Sequence, residues 1–261
     1  MKRIIKEKMI EIINQYESGL STCKIAELTG YSHVGILKAL KRNDITIRDM
    51  SHARQIYSFN ESYFDIINTE EKAYWLGFIC ADGYLDYDRK AFQLMLSSKD
   101  KNQLNKFLKS IGSNHPIRDY ENNGCGASRV YIRNILLFQS LSKFINRNKT
   151  YSLRFPNLDT KLIRHFIRGY FDGDGYVYSK KGYQKFSITS NKHFNIALKN
   201  ILIESLGLKN NKDSIRHKEN PNIITITFNG LNNIKKIYFY LYNNSRICME
   251  RKKNEFKKAI N

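Results

Sequence analysis

Two aspartates, Asp82 and Asp174, each stand one residue before a glycine at the end of an apolar run, and the two runs follow one pattern. Residues 73–85 read AYWLGFICADGYL and residues 166–177 read FIRGYFDGDGYV. An offset of 92 relates Gly77 to Gly169, Ala81 to Gly173, Asp82 to Asp174 and Gly83 to Gly175, and also Leu96-Ser97-Ser98 to Ile188-Thr189-Ser190. A carboxylate at the carbonyl end of a helix is disfavoured by the helix dipole. Two such ends side by side add a repulsion on the order of 4 kcal/mol at ~4 Å and an effective dielectric of ~20. A divalent cation held by both carboxylates and by nearby carbonyls, those of Ala81 and Gly173, offsets that repulsion. Mg2+ suits such a place, because one or two carboxylates completed by phosphates and water commonly hold it. One Asp-Gly after an apolar run is ordinarily a turn; two copies on matched helices within a basic chain point to a metal centre for phosphodiester chemistry.

Those acids must be carried by helices that pack closely. Small residues at i and i+4, Gly77/Ala81 and Gly169/Gly173, let two helix backbones approach, and Gly83 and Gly175 are expected to take the positive φ of a helix C-cap. Each motif is followed by a short strand, an alternating strand (91–97; 185–190) and a helix ending near Ile111-Gly112 or Leu206-Gly207. A strand pair and another helix come next, with strands near 129–133 and 223–228 and helices near 134–144 and 231–242. Each half is read as αββαββα, and the fold as a pseudo-twofold α+β protein with two antiparallel sheets.

Ahead of the repeat, Ile4, Ile5, Met9, Ile12, Ile13 and Tyr16 recur at helical spacing. Ser21 and Ser32 are expected to cap two further short helices separated by a turn at Gly30. This all-α segment is similar to the helix-turn-helix modules of recombinases and regulators. In such a module Ser32, His33, Lys38, Lys41 and Arg42 of the second helix would face DNA, with Arg48 following a backbone. A plain three-helix bundle is the competing reading. The expected organisation is residues 1–50 as this domain, 51–69 as linker, 70–156 as the first half of the repeat and 157–261 as the second.

The 44 Lys and Arg against 24 Asp and Glu in 261 residues give a net charge of +20, which draws phosphate polymers or an anionic surface. The excess is concentrated in residues 157–261, which hold 20 basic and 8 acidic side chains. No apolar run reaches the ~18–20 residues of a membrane span, and the charged start is not a signal peptide. The four cysteines are scattered without a C-x-x-C pair, which indicates neither a disulfide framework nor a zinc site. A cytoplasmic setting is the expectation, of bacterial or phage-encoded type or of organellar origin.

The two motifs, WLGFICADG and IRGYFDGDG, resemble those of single-chain LAGLIDADG homing endonucleases over roughly residues 60–258. The resemblance implies that the motif helices form the central interface, that the penultimate acid of each, Asp82 and Asp174, binds Mg2+, and that curved sheets lie in the DNA major groove. It implies two or three Mg2+ ions per centre, with Mn2+ able to substitute. By matching position it places Ser98 and Ser190, and Lys149 and Lys252, around the attacking water, with Arg147, Arg251 and Lys253 as neighbouring alternatives to the lysines. Cys80 stands where the second motif has Asp172, a position that does not ligate metal in the family.

Sequence reading would fall to side chains on the outward face of the strands: Gln93, Ser97, Arg129, Tyr131 and Arg133 in the first half, and Lys185, Ser187, Thr189, Thr225 and Thr227 in the second. The buried alternation of Phe92, Leu94 and Leu96, and of Phe186 and Ile188, sets this choice of face. The expected function is Mg-dependent double-strand cleavage of a long asymmetric DNA site by a monomer. The alternatives are a non-cleaving DNA-binding regulator or an RNA-splicing maturase that uses intron RNA as partner. A chain beginning Met1-Lys2 and ending Ile260-Asn261, with no nucleophile at its start, is expected to be free-standing or intron-encoded rather than embedded in a self-splicing protein.

Overall fold

The computed structural model describes residues 4–47, 57–122, 125–180, 182–208, 215–217 and 220–260, and Arg48 lies outside them. The chain divides into two units, Met1–Ile56 and Tyr57–Asn261. In the first, α1 (Lys6–Glu17), α2 (Thr22–Thr29) and α3 (His33–Arg42) close over a core of Met9, Ile12, Tyr16, Ile25, Ile36 and Leu40. Ser21 accepts from Lys24 N and Ser32 from Gly35 N, so each side-chain oxygen satisfies an orphan amide of its helix. Gly30 between them is left-handed at φ +72°, where a side chain would be strained.

The second unit is a doubled αββαββα. The first copy runs α4 (Glu70–Asp82), β1 (Gly83–Asp86), β2 (Ala91–Ser97), α5 (Lys101–Ser110), β3 (Arg118–Asn122), β4 (Cys125–Arg133) and α6 (Ile135–Ser142), and the one-turn helix α7 (Lys149–Ser152) follows it. The second copy runs α8 (Thr160–Asp174), β5 (Gly175–Lys180), β6 (Tyr183–Asn191), α9 (Lys192–Leu206), β7 (Ile215–His217), β8 (Asn220–Asn229) and α10 (Leu231–Tyr242), closed by α11 (Glu250–Ile260). Both sheets are antiparallel with one strand order, β1-β2-β4-β3 and β5-β6-β8-β7. Equal order in two sheets is what duplication of a folding unit produces.

Helices α4 and α8 pack on each other at the centre. Residues 73–81 of α4 are all buried, as are residues 165–172 of α8, and a helix apolar around most of its circumference can only be a core helix. Each large side chain removed from water contributes roughly 1.5–3 kcal/mol. The sheets fold back over this pair, with Phe92, Leu94, Leu96, Phe186 and Ile188 on the core face.

Residues 57–69 belong to this unit and do not act as a linker. Tyr63 and Phe64 are buried in its core, Asn60 N donates to Ile111 O at 2.8 Å, and Ser58 N donates to Asn114 Oδ1 at 2.7 Å. Tyr63 and Phe64 are therefore core filling. Among the described residues no helix is long and apolar enough to cross a membrane.

Candidate active site

Glycine brings the two acids together. A Cβ at Gly77 would stand 2.0 Å from Phe166 O, and one at Gly169 would stand 1.9 Å from Tyr74 O. The relation is reciprocal, since Tyr74 and Phe166 are themselves 92 apart, so the helices cross backbone to backbone on the pseudo-twofold axis. One turn later a Cβ at Gly173 would meet Ala81 Cβ at 2.5 Å and Asp82 Oδ2 at 2.9 Å. The absence of a side chain at Gly173 is what leaves room for the Asp82 carboxylate against the opposite helix.

Gly83 and Gly175 do not take positive φ. They are extended, at φ −73° and −75°, and begin β1 and β5 directly. Their requirement is space: a Cβ would lie 2.6 Å from Ile79 Cγ2 at Gly83 and 2.0 Å from Phe171 Cδ2 at Gly175. The chain passes from helix to strand with no intervening loop, which fixes each acid at the junction.

Two lysines from distant segments arrive at equivalent carbonyls. Lys149 Nζ donates to Ala81 O at 2.5 Å and Gly83 O at 2.7 Å, and Lys252 Nζ donates to Gly175 O. Ammonium groups on the terminal carbonyls of α4 and α8 answer the negative helix ends. Desolvation pushes Lys149 and Lys252 below the ordinary lysine value, which brings them nearer the range in which a lysine exchanges protons.

Desolvation also pushes the Asp82 carboxyl up, to about 7, with the Asp174 charge adding to the rise. Asp174 rises for the same reason, restrained by Lys149 and Lys252. Asp174 is the more open to water, so solvent limits its shift and Asp82 is the member of the pair that takes the proton. Among the described residues no cluster of three or more His, Cys, Asp or Glu is placed to hold a metal ion. A cation here would rest on two carboxylates completed by carbonyl, phosphate and water oxygens. All of those donors are hard oxygens, and the crowded carboxylates gain from any positive charge between them, so the residues present fit Mg2+.

The pH dependence follows from this. In the unfolded chain Asp82 titrates near its ordinary 3.8 and in the fold near 7, so the fold binds the extra proton and its stability falls as pH rises through that window. Asp174, Lys149, Lys252 and Asp100 are the charges acting on Asp82 there. Without metal, Asp82→Asn is expected to be more thermostable than the parent at pH 8, with the gap closing by pH 4. Mg2+ is expected to stabilise the parent alone. A melting series at the two pH values, with and without Mg2+, checks both.

The structure handles the paired serines differently. Gly83 pairs with Leu94 but Gly175 pairs with Ile188, so the second hairpin holds two more residues and the offset along β2 and β6 is 94. Ser98 and Ser190 are therefore not equivalent. Ser190 accepts from Tyr170 OH at 2.9 Å, beside the Asp174 end of α8, whereas Ser98 Oγ lies against Gly126, 2.7 Å from where a Cβ would be. Neither serine caps a helix; Ser97 and Asn191 hold the cap positions.

The extra residues are even in number, so the faces are unchanged. In register, Tyr84, Gln93 and Tyr131 lie across one sheet, and Met95, Arg129 and Arg118 beside them. Ser97 and Arg133 share that open face. In the second sheet Lys185, Thr189 and Thr225 occupy the open face, Thr189 and Thr225 joined by a 2.7 Å hydroxyl contact. Ser187 and Thr227 are paired there but buried, so they offer no hydroxyl to a groove; Tyr176, in register with Ser187, is the exposed residue. Sequence reasoning passed over Tyr84 and Tyr176, each 57% exposed. The signal was present, because both directly follow an Asp-Gly and are 92 apart. In the N-terminal unit Ser32, His33, Lys38, Lys41 and Arg42 are exposed on α3, with the Ser32 oxygen engaged as a cap.

Residues 161–241 match the family model for a LAGLIDADG-like domain. Among solved structures the fold is shared with the LAGLIDADG homing endonuclease I-GzeII in complex with DNA target, at 13% identity over 74% of this chain and 88% of that one, TM-score 0.51. The I-LtrWI LAGLIDADG homing endonuclease bound to target DNA also aligns, at 16% identity over 77% and 90% of the two chains, TM-score 0.48. No curated protein matches in sequence. The two-motif resemblance read from the sequence and the fold of the second unit thus agree.

Proposed function

We propose that this chain, whose second unit has the LAGLIDADG fold, is a site-specific endonuclease that cuts both strands of double-stranded DNA. The observation that carries the reading is the pairing of Asp82 with Asp174 at one helix crossing, each end furnished with a lysine on the equivalent glycine carbonyl. The solved neighbours are homing endonucleases bound to DNA, which supports the same polymer as the partner here.

Asp82 and Asp174 would hold Mg2+, completed by the Gly173 carbonyl and, in place of its contact with Lys149, by the Ala81 carbonyl. When bound, such ions supply charge neutralisation of the scissile phosphate and a stronger water nucleophile at neutral pH. The chain's own share is positional and electrostatic. The two carboxylates sit at helix ends that cannot move apart without breaking the glycine contacts. Lys149 and Lys252 stand where charge develops on the phosphate and can carry a proton to or from the water or the leaving oxygen. The open faces of the two sheets, with Arg129, Arg133 and Lys185, would follow and read the duplex on either side. One acid and one lysine per half correspond to one cut per strand, and a single chain supplies both.

Incubation with a randomised duplex library in Mg2+ and in Ca2+, followed by sequencing of bound and cut ends, tests this. Mg2+-dependent breaks at one long asymmetric site are expected. Selective binding without breaks would instead give a DNA-binding regulator, and absence of selectivity for DNA would overturn the proposal. Binding is expected to be strongly salt-dependent: about six to ten phosphate contacts cost about 10³- to 10⁵-fold in affinity between 50 and 200 mM salt. A titration across that range reads the number of contacts.

The N-terminal unit is proposed to act as a helix-turn-helix module that contacts flanking DNA through α3. Deletion of residues 1–56 is expected to weaken binding and shorten the protected footprint while single-site cleavage persists at higher protein concentration. An unchanged footprint would remove the module from recognition.

A further inference from the structure

Asp172 is fully buried two residues before Asp174, and its carboxylate takes no part in the candidate metal site. Its Oδ2 accepts from Met249 N at 2.6 Å and from Tyr74 OH at 2.8 Å, and its Oδ1 accepts from Tyr242 OH at 2.5 Å. Met249 is the residue immediately before α11, and Lys252 is on the first turn of that helix. Tyr74 is on α4 and Tyr242 ends α10, so one carboxylate ties three elements to the start of the helix that delivers a lysine. Further links join the start of α11 to the first half: Lys106 Nζ donates to Cys248 O at 3.0 Å and faces Glu250 at 3.8 Å, and Arg251 pairs with Asp100 at 2.8 Å. They run through long side chains left about a third to a half exposed, where ion pairs contribute little.

Among the described residues the first half has no equivalent carboxylate. The residue equivalent to Asp172 is Cys80, buried, with no hydrogen bond among the described contacts. Lys149 instead comes from the one-turn helix α7 and holds two carbonyls, those of Ala81 and Gly83, where Lys252 holds that of Gly175. The two lysines thus reach equivalent places by different supports.

We propose that Asp172 is a positioning residue for Lys252, and that because Cys80 supplies no counterpart it governs cleavage of one DNA strand only. The proposal rests on the endonuclease reading above. Asp172→Cys gives the second motif the residue of the first and removes both acceptor oxygens, whereas Asp172→Asn keeps an oxygen for the Met249 amide and serves as rescue.

The test uses the full chain on its library-selected duplex, each strand labelled, alongside Lys252→Met and Lys149→Met. Asp172→Cys is expected to slow about 10- to 100-fold the strand that Lys252→Met slows, so that nicked DNA accumulates. The other strand should be cut as in wild type. Combined with Lys252→Met it should add nothing further; combined with Lys149→Met it should slow both strands. Asp172→Asn should cut nearly as wild type. In metal-free protein, amide exchange at residues 249–253 should speed up in Asp172→Cys while α4 and α8 stay protected.

Equal slowing of both strands, additivity with Lys252→Met, or unchanged exchange at 249–253 would overturn the proposal. If Asp172→Cys does not fold, adding Tyr242→Phe removes the hydroxyl left stranded, while Tyr74 OH still accepts from Gln103 Nε2 at 2.6 Å, and the same readouts apply. A wild type that cuts no duplex would instead overturn the endonuclease reading, and the exchange measurement would then decide alone whether Asp172 holds the start of α11.

Discussion

Asp82→Asn and Asp174→Asn are each expected to abolish double-strand cleavage, by about 1,000-fold or more, while DNA binding at low salt survives. The size follows from what is removed. On the proposed reading the metal rests on two carboxylates among the described residues, so losing one would leave a single charged ligand for a hard dication at the point where the phosphate must be neutralised. On the proposed reading binding is carried elsewhere, by a chain of net charge +20 and by sheet faces remote from the crossing. A gel assay on the selected duplex, scored for nicked and linear product, with a binding assay in Ca2+, reads both quantities. Undiminished cutting by either variant would remove the assignment of the metal centre. Loss of binding along with cutting would show that the acids shape the recognition surface too.

Gly77→Ala or Gly169→Ala is expected to cost about 3 kcal/mol or more in stability, the upper end of what an inserted methyl costs a packed core. A Cβ at either site would fall about 2 Å from a backbone carbonyl oxygen of the facing helix. A neighbouring side chain can rotate away from such a clash, but a helix carbonyl moves only if the helix does. The helices would have to separate, and with them the two acids. Chemical denaturation should therefore show a lower midpoint, and the residual folded protein should cut poorly even where its DNA affinity is near normal. The same methyl on Gly112, open at φ +62° with no atom within 4 Å, would meet no neighbour and act only through backbone strain.

The repeat made most of the fold legible. Two copies of one motif at a fixed offset imply two copies of one unit, and apolar alternation then sets which side of each strand is core. Ser21, Gly30 and Ser32 announced the short helices because capping and left-handed turns need those residue types locally. What was not legible depends on length or on distant partners. The glycines after each aspartate could have served φ or space, and only the packing of Ile79 and Phe171 decides for space. The paired serines failed because a constant offset was carried past a hairpin that differs by two residues, and a short sequence match cannot reveal that. Ser187 and Thr227 alternate correctly and are still buried, since alternation reports the face and not what covers it. Burial of Arg168 against Glu70 at 2.8 Å, with Ile247 O and Leu241 O also accepting from it, joins residues as far apart as 70 and 247 and has no local signature. Nor does the hold of Asp172 on Met249.

The unequal hairpins have one further consequence. The β1–β2 ladder holds four residue pairs and the β5–β6 ladder six, with exposed Tyr178, Ser179, Lys180 and Tyr183 on or next to the added rungs. At ~3.3 Å per residue the second ladder runs ~7 Å farther from the crossing, which spans about two base pairs at ~3.4 Å each. For a protein that reads duplex with both sheets, the centre of its target is then not the point of cleavage. The half-site under the more basic, longer arm would tolerate fewer substitutions at its outer end, and a footprint measured outward from the breaks should be lopsided by that distance.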